Sequence, residues 1–364
     1  MKIVWFLLIL LPMGCGGGGG GSGSGAPLFS PFSPAVSMNA NLSASGMTAE
    51  PISNYTAEYT AIYNAGARGA QTAAPWSSLD PTGTGTNTYD LTMITNPYFG
   101  LNALAGYGFT SILINIPIVA LGSRTMPSTL AALPFDDSAV KDRYHALIDQ
   151  VLPYLNSSVQ YVSLGNEVDT YFSTHASELP NFKALIEDAR AYLQSQKPTI
   201  KVGVTTTFDG ATLTQAANVA SLNANMDVII LTYYPTNSST FVPRNPSTVA
   251  TDMAAMISIA GSKPLVLQEW GYPSSTVLSS SQQKQADFIA NTFTTWRQYG
   301  SGRIPFISFF KRRDWNDAQC QTSSGQATGQ PFYEFLCSLG LLNNIGTQKA
   351  AYASLLAGIS TISP

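Results

Sequence analysis

From residue 35 onward the chain alternates, eight times, between a short apolar run rich in β-branched residues and a longer stretch of helical period. This alternation is the strongest constraint on the fold. Strands separated by helices pair in parallel, and parallel sheets are covered by their helices. The expected strands are 36–42, 69–74, 110–119, 160–164, 200–206, 227–232, 264–268 and 304–310. The expected helices are 55–65, 97–107, 138–155, 181–196, 211–222, 248–260 and 282–299, followed by helical segments at 331–339 and 349–359. In the segment 181–196, Phe182, Leu185, Ala189 and Leu193 line one face, as an amphipathic helix requires. Eight units predict a closed (β/α)8 TIM barrel in the α/β class, one domain spanning 35–364. No G-x-G-x-x-G follows the first strand, so nothing suggests an open dinucleotide-binding sheet.

The residues before the barrel have a different character. Met1-Lys2 precedes the apolar run 3–11 (IVWFLLILL), which is too short to span a bilayer and reads as a signal-peptide core. Leu11-Pro12-Met13-Gly14-Cys15 resembles the bacterial lipobox, in which the cysteine receives a diacylglyceryl chain and becomes the mature N-terminus. The expectation is a lipoprotein signal at 1–14, lipidation at Cys15 and a Gly/Ser/Pro-rich tether at 15–34. The barrel would then be exported and held at the cell envelope by its lipid. In an exported protein, Cys320 and Cys337 are expected to form a disulfide closing one loop.

Charged residues make up only 11% of the chain and the net charge is -3, which argues against a nucleic-acid partner. His145 and His175 are the only histidines, thirty residues apart, and argue against a His-based metal site. The chemistry is instead sought at the C-terminal ends of the strands, where barrels of this kind place their active sites. Of the seven glutamates, five fall in expected loops or helices. Glu167 and Glu269 end the fourth and seventh strands. Alternation along a strand places Glu167 on one face with Gly165, Ser163 and Tyr161, and Glu269 on one face with Leu267 and Leu265. Both carboxylates would project toward the barrel axis from opposite sides. Two facing carboxylates are what glycoside hydrolysis requires, one protonated to assist the leaving oxygen and one ionised to attack or to activate water.

The residues around these glutamates sharpen that expectation. Leu164-Gly165-Asn166-Glu167-Val168 resembles the strand-four motif of clan A glycoside hydrolases. The resemblance implies that Glu167 is the general acid/base and that Asn166 hydrogen-bonds the sugar 2-hydroxyl. Leu267-Gln268-Glu269-Trp270-Gly271-Tyr272-Pro273 resembles the strand-seven motif of the same clan, which implies that Glu269 is the nucleophile. Tyr233-Tyr234-Pro235 resembles the tyrosine segment near that nucleophile. The turn from Gly340 to Tyr352 (GLLNNIGTQKAAY) resembles the one leading into the last helix. Within the clan, Gly-Asn-Glu-Val and Glu-x-Gly-x-Pro-Ser resemble family 17, the β-1,3-glucanases. Tyr-Tyr-Pro and Glu-x-x-Tyr-Pro resemble family 53, the endo-β-1,4-galactanases. The match covers strands four to eight; the first third agrees only in pattern.

The implied activity is a retaining hydrolysis of a β-linked glycan, of β-glucan or β-galactan type, by a monomer that needs no cofactor. One of Tyr233 and Tyr234 is expected to hydrogen-bond Glu269, with Tyr233 preferred. Trp76, Trp270 and Trp315 follow strands two, seven and eight and are candidates to pack against sugar rings, the alternative being buried loop anchors. Lys311-Arg312-Arg313-Asp314 is expected to be a solvated loop, or else a pocket wall suited to an anionic substrate. Arg68 falls at the N-terminal end of strand two, away from the site. Two other readings compete. A glycan-binding lipoprotein that had lost turnover would lack one carboxylate. A barrel enzyme of another class would need His/Asp clusters or a strand-end lysine, for which only Lys311 is near.

Overall fold

Eight parallel strands enclose the molecule's axis: β1 (Ala35–Met38), β2 (Arg68–Ala73), β3 (Ser111–Asn115), β4 (Val159–Ser163), β5 (Lys201–Gly203, continued by Thr205–Thr207), β6 (Ile229–Tyr233), β7 (Leu265–Trp270) and β8 (Phe306–Phe309). They belong to a computed structural model that describes residues 16–17, 35–38, 52–85, 88–300 and 302–362. Ladders join β2, β3, β4 and β5 in that order, and a second set joins β5, β6, β7, β8 and β1. β5 belongs to both sets, and β1 packs beside β2, so the ring closes. Around it stand α1 (Ile52–Asn64), α2 (Leu101–Gly106), α3 (Ser138–Val151), α4 (Leu179–Gln196), α5 (Ala216–Asn223), α6 (Thr248–Ala260), α7 (Gln282–Tyr299) and α8 (Ala350–Ser360). The expected fold, a (β/α)8 barrel, is the fold observed. The expected signal at 1–14 and Cys15 lie outside the described residues. So does the expected tether, apart from Gly16–Gly17, which pairs with Arg68 and Gly69.

Some boundaries differ from the expectation for local reasons. The expected strand 110–119 stops at Asn115. Beyond it the chain turns into a small hairpin, Val119–Ala120 against Ser123–Arg124. The expected helix 211–222 is two helices, Phe208–Thr212 and α5, because Thr207 caps the first by accepting from Gly210 N and Leu213 leaves helical geometry. α4 buries Phe182, Leu185, Ile186, Ala189 and Leu193, the stripe seen in the sequence.

Strand alternation sorts the apolar residues into two layers. Ile229, Leu231 and Tyr233 of β6 join the large core between sheet and helices. Val228 and Ile230 turn to the axis and meet Leu113, Tyr161, Val266, Phe306 and Ala35 in a plug that fills the barrel's lower interior. Above this plug lies a polar layer. Asn115 Nδ2 and Gln268 Nε2 both donate to Asn166 Oδ1, at 3.1 and 2.6 Å. Thr205 Oγ1 donates to Gln268 Oε1 at 2.6 Å and pairs with Ser163 Oγ at 2.7 Å. Burying these groups is tolerable because they bond one another.

A third layer comes from the long connection after β8, residues 311–349. It carries the helices Asp317–Ser324 and Pro331–Leu336, joined by the disulfide Cys320–Cys337. A loop of this length closed by a disulfide gains roughly 3 kcal/mol in the chain-entropy model. The segment has its own apolar cluster, including Phe310, Trp315, Tyr333, Phe335 and Leu336. Its charged start is not a solvated loop, and it does not line the cavity. Arg312 and Arg313 both pair with Glu58 of α1, at 2.6 and 2.7 Å. Asp314 pairs with Lys349 and accepts from Gly340 N. Lys311 is fully buried, with Nζ 3.2 Å from the Trp315 ring centre. The charges of Arg312, Arg313 and Asp314 are consumed in fastening the connection, which one-dimensional charge patterning cannot show.

Candidate active site

A cavity of about 470 Å3 opens at the C-terminal ends of the strands, and both Glu167 and Glu269 line it. Glu167 follows β4 through Gly165 and Asn166. A Cβ on Gly165 would come within 2.4 Å of Val168 Cγ1, so the tight turn needs glycine there. Glu167 itself has φ 48° and ψ 45°, a left-handed conformation that costs a non-glycine residue and turns its side chain upward out of the strand. Thr232 Oγ1 of β6 donates to its Oε1 at 2.6 Å.

Glu269 arrives by a different device. Leu265 and Leu267, expected to share its inward face, instead join the outer core, while Val266 and Gln268 face the axis. Simple alternation would then send Glu269 outward. Thr232 pairs with Glu269 whereas Leu231 pairs with Leu267, so Gln268 is an extra residue, and the ladder to β8 shows the same shift. This β-bulge resets the phase and directs Glu269 inward directly after Gln268. The inward placement agrees with expectation; the path to it does not.

The bulge also decides the aromatic residues. Tyr234 Oη donates to Glu269 Oε2 at 2.6 Å. Its ring fits because Gly271 is beside it, where a Cβ would lie 2.7 Å from Tyr234 Cε1. Tyr233, the preferred candidate, faces the helices and donates to Asp252 of α6. Trp270 likewise points outward, donating to Thr292 of α7 at 2.9 Å and stacking between Tyr233 and Phe288. Trp76 is buried against Tyr144 and donates to Asp80. Tyr233, Trp270 and Trp76 are therefore core residues and not pocket residues. Trp315 does line the cavity, together with Phe241, Phe310, Phe332 and Phe335. Asn166 lies in the polar layer beneath, its Oδ1 occupied by Asn115 and Gln268. Thr232 and Gln268 were not singled out from the sequence. The inward phase of β6, once known from Val228 and Ile230, would have marked Thr232.

The two carboxyls are tuned apart. Burial, and then the charge of Glu269, push Glu167 up to about 8. Burial also pushes Glu269 up, to about 7, but hydrogen bonds from Tyr234 and Gln268 hold it down. Two acids that share a dry cavity hold one proton between them over the interval separating their two titrations. The proton resides preferentially on Glu167, because Glu269 has the stronger donors. The arrangement can therefore present a proton donor and an anionic nucleophile to one bound molecule. The lining combines aromatic residues with Thr170, Thr207, Thr232 and Thr236. Such a mixture of apolar rings and polar groups suits a sugar, which has apolar C–H faces and hydroxyl edges.

No protein-family profile matches the chain, and no curated protein matches it. Solved structures do. GH5_18 from Streptomyces cattleya in complex with GlcNAc superposes with a TM-score of 0.70 at 14% identity, covering 92% of this chain and 82% of that one. GH5_18 from Bifidobacterium longum gives 0.65 at 12% identity, with coverages of 86% and 75%. The exo-beta-1,4-mannosidase Op5Man5 from an Opitutaceae bacterium gives 0.66 at 15% identity, with coverages of 91% and 60%. The first two carry the GH5_18 label, not those of families 17 and 53 that the motifs resemble. At such identities the likeness speaks for architecture, and what it shows is that this chain is a (β/α)8 barrel of the kind found in these GH5 structures.

Proposed function

We propose that the protein is a retaining glycoside hydrolase that cleaves a β-linked glycan by double displacement. One observation carries the reading: Glu167 and Glu269 face a single cavity, and their hydrogen-bond donors assign the proton to Glu167. In the first step Glu269 attacks the anomeric carbon while Glu167 gives its proton to the departing glycosidic oxygen. In the second, Glu167 takes a proton from water, which attacks the same carbon and releases Glu269. Similarity to β-glycosidases supports the substrate class. A variant of the Bifidobacterium longum structure is a complex with Manb1-4GlcNAc, and another neighbour is a beta-glucosidase. The first assay is reducing-sugar release from β-mannan, β-glucans, β-galactan and xylan. Proton NMR of the first product anomer follows. Retention of the β configuration supports double displacement; initial release of the α anomer would replace it with single-step inversion.

Tyr234 is assigned to holding Glu269 ionised. Tyr234→Phe is expected to lower kcat/KM roughly 10- to 100-fold, the value of a hydrogen bond to a charged group. The acid limb of the pH profile is expected to move upward. Tyr233→Phe, which breaks a bond on the helix side, is expected to lower the melting temperature and leave that limb in place. An unmoved acid limb in Tyr234→Phe would remove the assignment.

We further read 1–14 as a lipoprotein signal, with the barrel tethered to the envelope through Cys15. Cys15→Ser is expected to shift the protein from the detergent phase to the aqueous phase in Triton X-114 partitioning. Equal partitioning of both forms would refute the anchor.

A further inference from the structure

A third carboxylate lines the cavity, and the catalytic assignment does not use it. Asp209 stands on the helix Phe208–Thr212 that follows β5. Its turn is rigidly built. Thr207 donates to Asp169 through both N and Oγ1, at 2.8 and 2.6 Å, and Gly210 N donates to Thr207 Oγ1 at 2.8 Å. A Cβ on Gly210 would lie 2.1 Å from Asp169 Oδ2, so the turn closes tightly on that buried acid.

Asp209's own carboxylate is different from the chain's other sequestered acids. Asp80 takes Arg143, Trp76 and the Gly83 amide. Asp252 takes Tyr233 and Arg244. Asp314 takes Lys349 and the Gly340 amide, and Glu58 takes two arginines. Asp209 is half-buried, yet among the described residues no side chain or amide donates to it. Arg244, the cation whose field reaches Asp209, is already paired with Asp252 at 2.8 Å. An ionised carboxylate that gives up part of its water needs donors in return. Here the cavity is where those donors must come from.

The remaining charges of the cavity narrow what can supply them. Among the described residues its lining holds Glu167, Asp209 and Glu269 and no lysine, arginine or histidine. Asp209 shares the cavity with Glu167 and Glu269 but no hydrogen bond with either; they accept from Thr232 and Tyr234. A carboxylate is acceptor-only, with two oxygens spaced to receive two adjacent hydroxyls. With the shared proton on Glu167, a substrate carboxylate would still meet the like charges of Asp209 and Glu269, with no basic residue among the described lining to offset them.

We propose that Asp209 is a specificity residue that accepts paired hydroxyl donors from a neutral sugar, and that this cavity refuses the corresponding uronic acid. The proposal rests on the glycosidase reading and names its substrate class. The test compares the neutral β-glycoside that the wild type cleaves fastest with the same glycoside oxidised to a carboxylate at C6. Wild type is expected to prefer the neutral member by at least about 100-fold in kcat/KM. Asp209→Asn keeps the shape and removes the charge. It is expected to raise KM for the neutral substrate roughly 10- to 100-fold with kcat changed less than about threefold, and to narrow the preference. Equal kcat/KM for the two wild-type substrates would overturn the proposal, and so would an unchanged KM in Asp209→Asn. Loss of the folded melting transition in that variant would also overturn it, since it would make Asp209 structural. If wild type releases sugar from no β-glycoside, the glycosidase reading itself fails. Turnover by wild type with an indifferent Asp209 isolates the failure to this proposal.

Discussion

Glu269→Gln is expected to lower kcat on the preferred glycan by about 10,000-fold or more, while the melting temperature stays level or rises. The size follows from the role: an amide of nearly the same shape cannot form the covalent glycosyl intermediate, and losing a nucleophile from a concerted unit removes almost all its catalysis. The retained fold follows from the contacts. Among the described residues Glu269 makes no ion pair, and its Tyr234 bond survives with an amide oxygen. Adding azide to Glu269→Gly offers an independent readout, because a small anion can enter the space the truncated side chain leaves on the α face. Residual activity within tenfold of wild type would show that Glu269 is not the nucleophile.

Glu167→Gln is expected to lower kcat/KM by roughly 100- to 10,000-fold on a natural glycan and much less on an aryl glycoside. A nitrophenolate leaves without a proton, so the first step no longer needs the acid. The pH profile gives a second readout. Activity should rise as Glu269 ionises and fall as Glu167 loses its proton. Both carboxyls are displaced upward, to about 7 and about 8, so the optimum is expected near neutral to mildly alkaline pH and not in the ordinary carboxylate range. Glu167→Gln should abolish the alkaline limb. Its survival in that variant would assign the limb to another group.

The same displacement has a sign for stability. A carboxyl whose folded pKa lies above its unfolded value binds its proton more tightly when folded. Its contribution is fully present below the ordinary value of 4.5 and is lost as pH rises through the folded value. The ionised pair therefore weakens the fold at pH 8. Glu167→Gln is expected to melt higher than wild type at pH 8, by an amount on the order of 1–3 kcal/mol, and to approach it at pH 5. A gain independent of pH would mean that packing, not charge, causes it.

The resemblance to clan A reaches only part of this architecture. Its two glutamates stand where the motifs place them, yet the cavity wall that would meet the sugar is built largely from residues the motifs do not include. Phe241 comes from the connection after β6. Phe332 and Phe335 come from the helix that Cys337 fastens to Cys320. Phe241 lies in a stretch with no strand or helix period, and the helical period of 331–339 does not say which way Phe332 and Phe335 face once the connection folds back over the barrel.

What the sequence determined by itself is the repeated alternation of strand and helix, and with it the barrel and the end at which its chemistry sits. Those follow from local periodicity, because each strand and helix must bury the side its own residues make apolar. It also determined that Glu167 and Glu269 end strands on opposite sides of the ring. Only the tertiary structure decided which side chains turn inward. The extra residue Gln268 is visible only against the registers of β6 and β8, and it sends Glu269 to the cavity and Trp270 to the helices. From that one shift, and the partner Asp252 waiting on α6, follows the choice of Tyr234 over Tyr233. The charges of Arg312, Arg313 and Asp314 were settled in the same way, by Glu58 and Lys349, residues far along the chain. A period of two is a local property; the phase of that period, and the partners that neutralise a charge, belong to the neighbours brought up by folding.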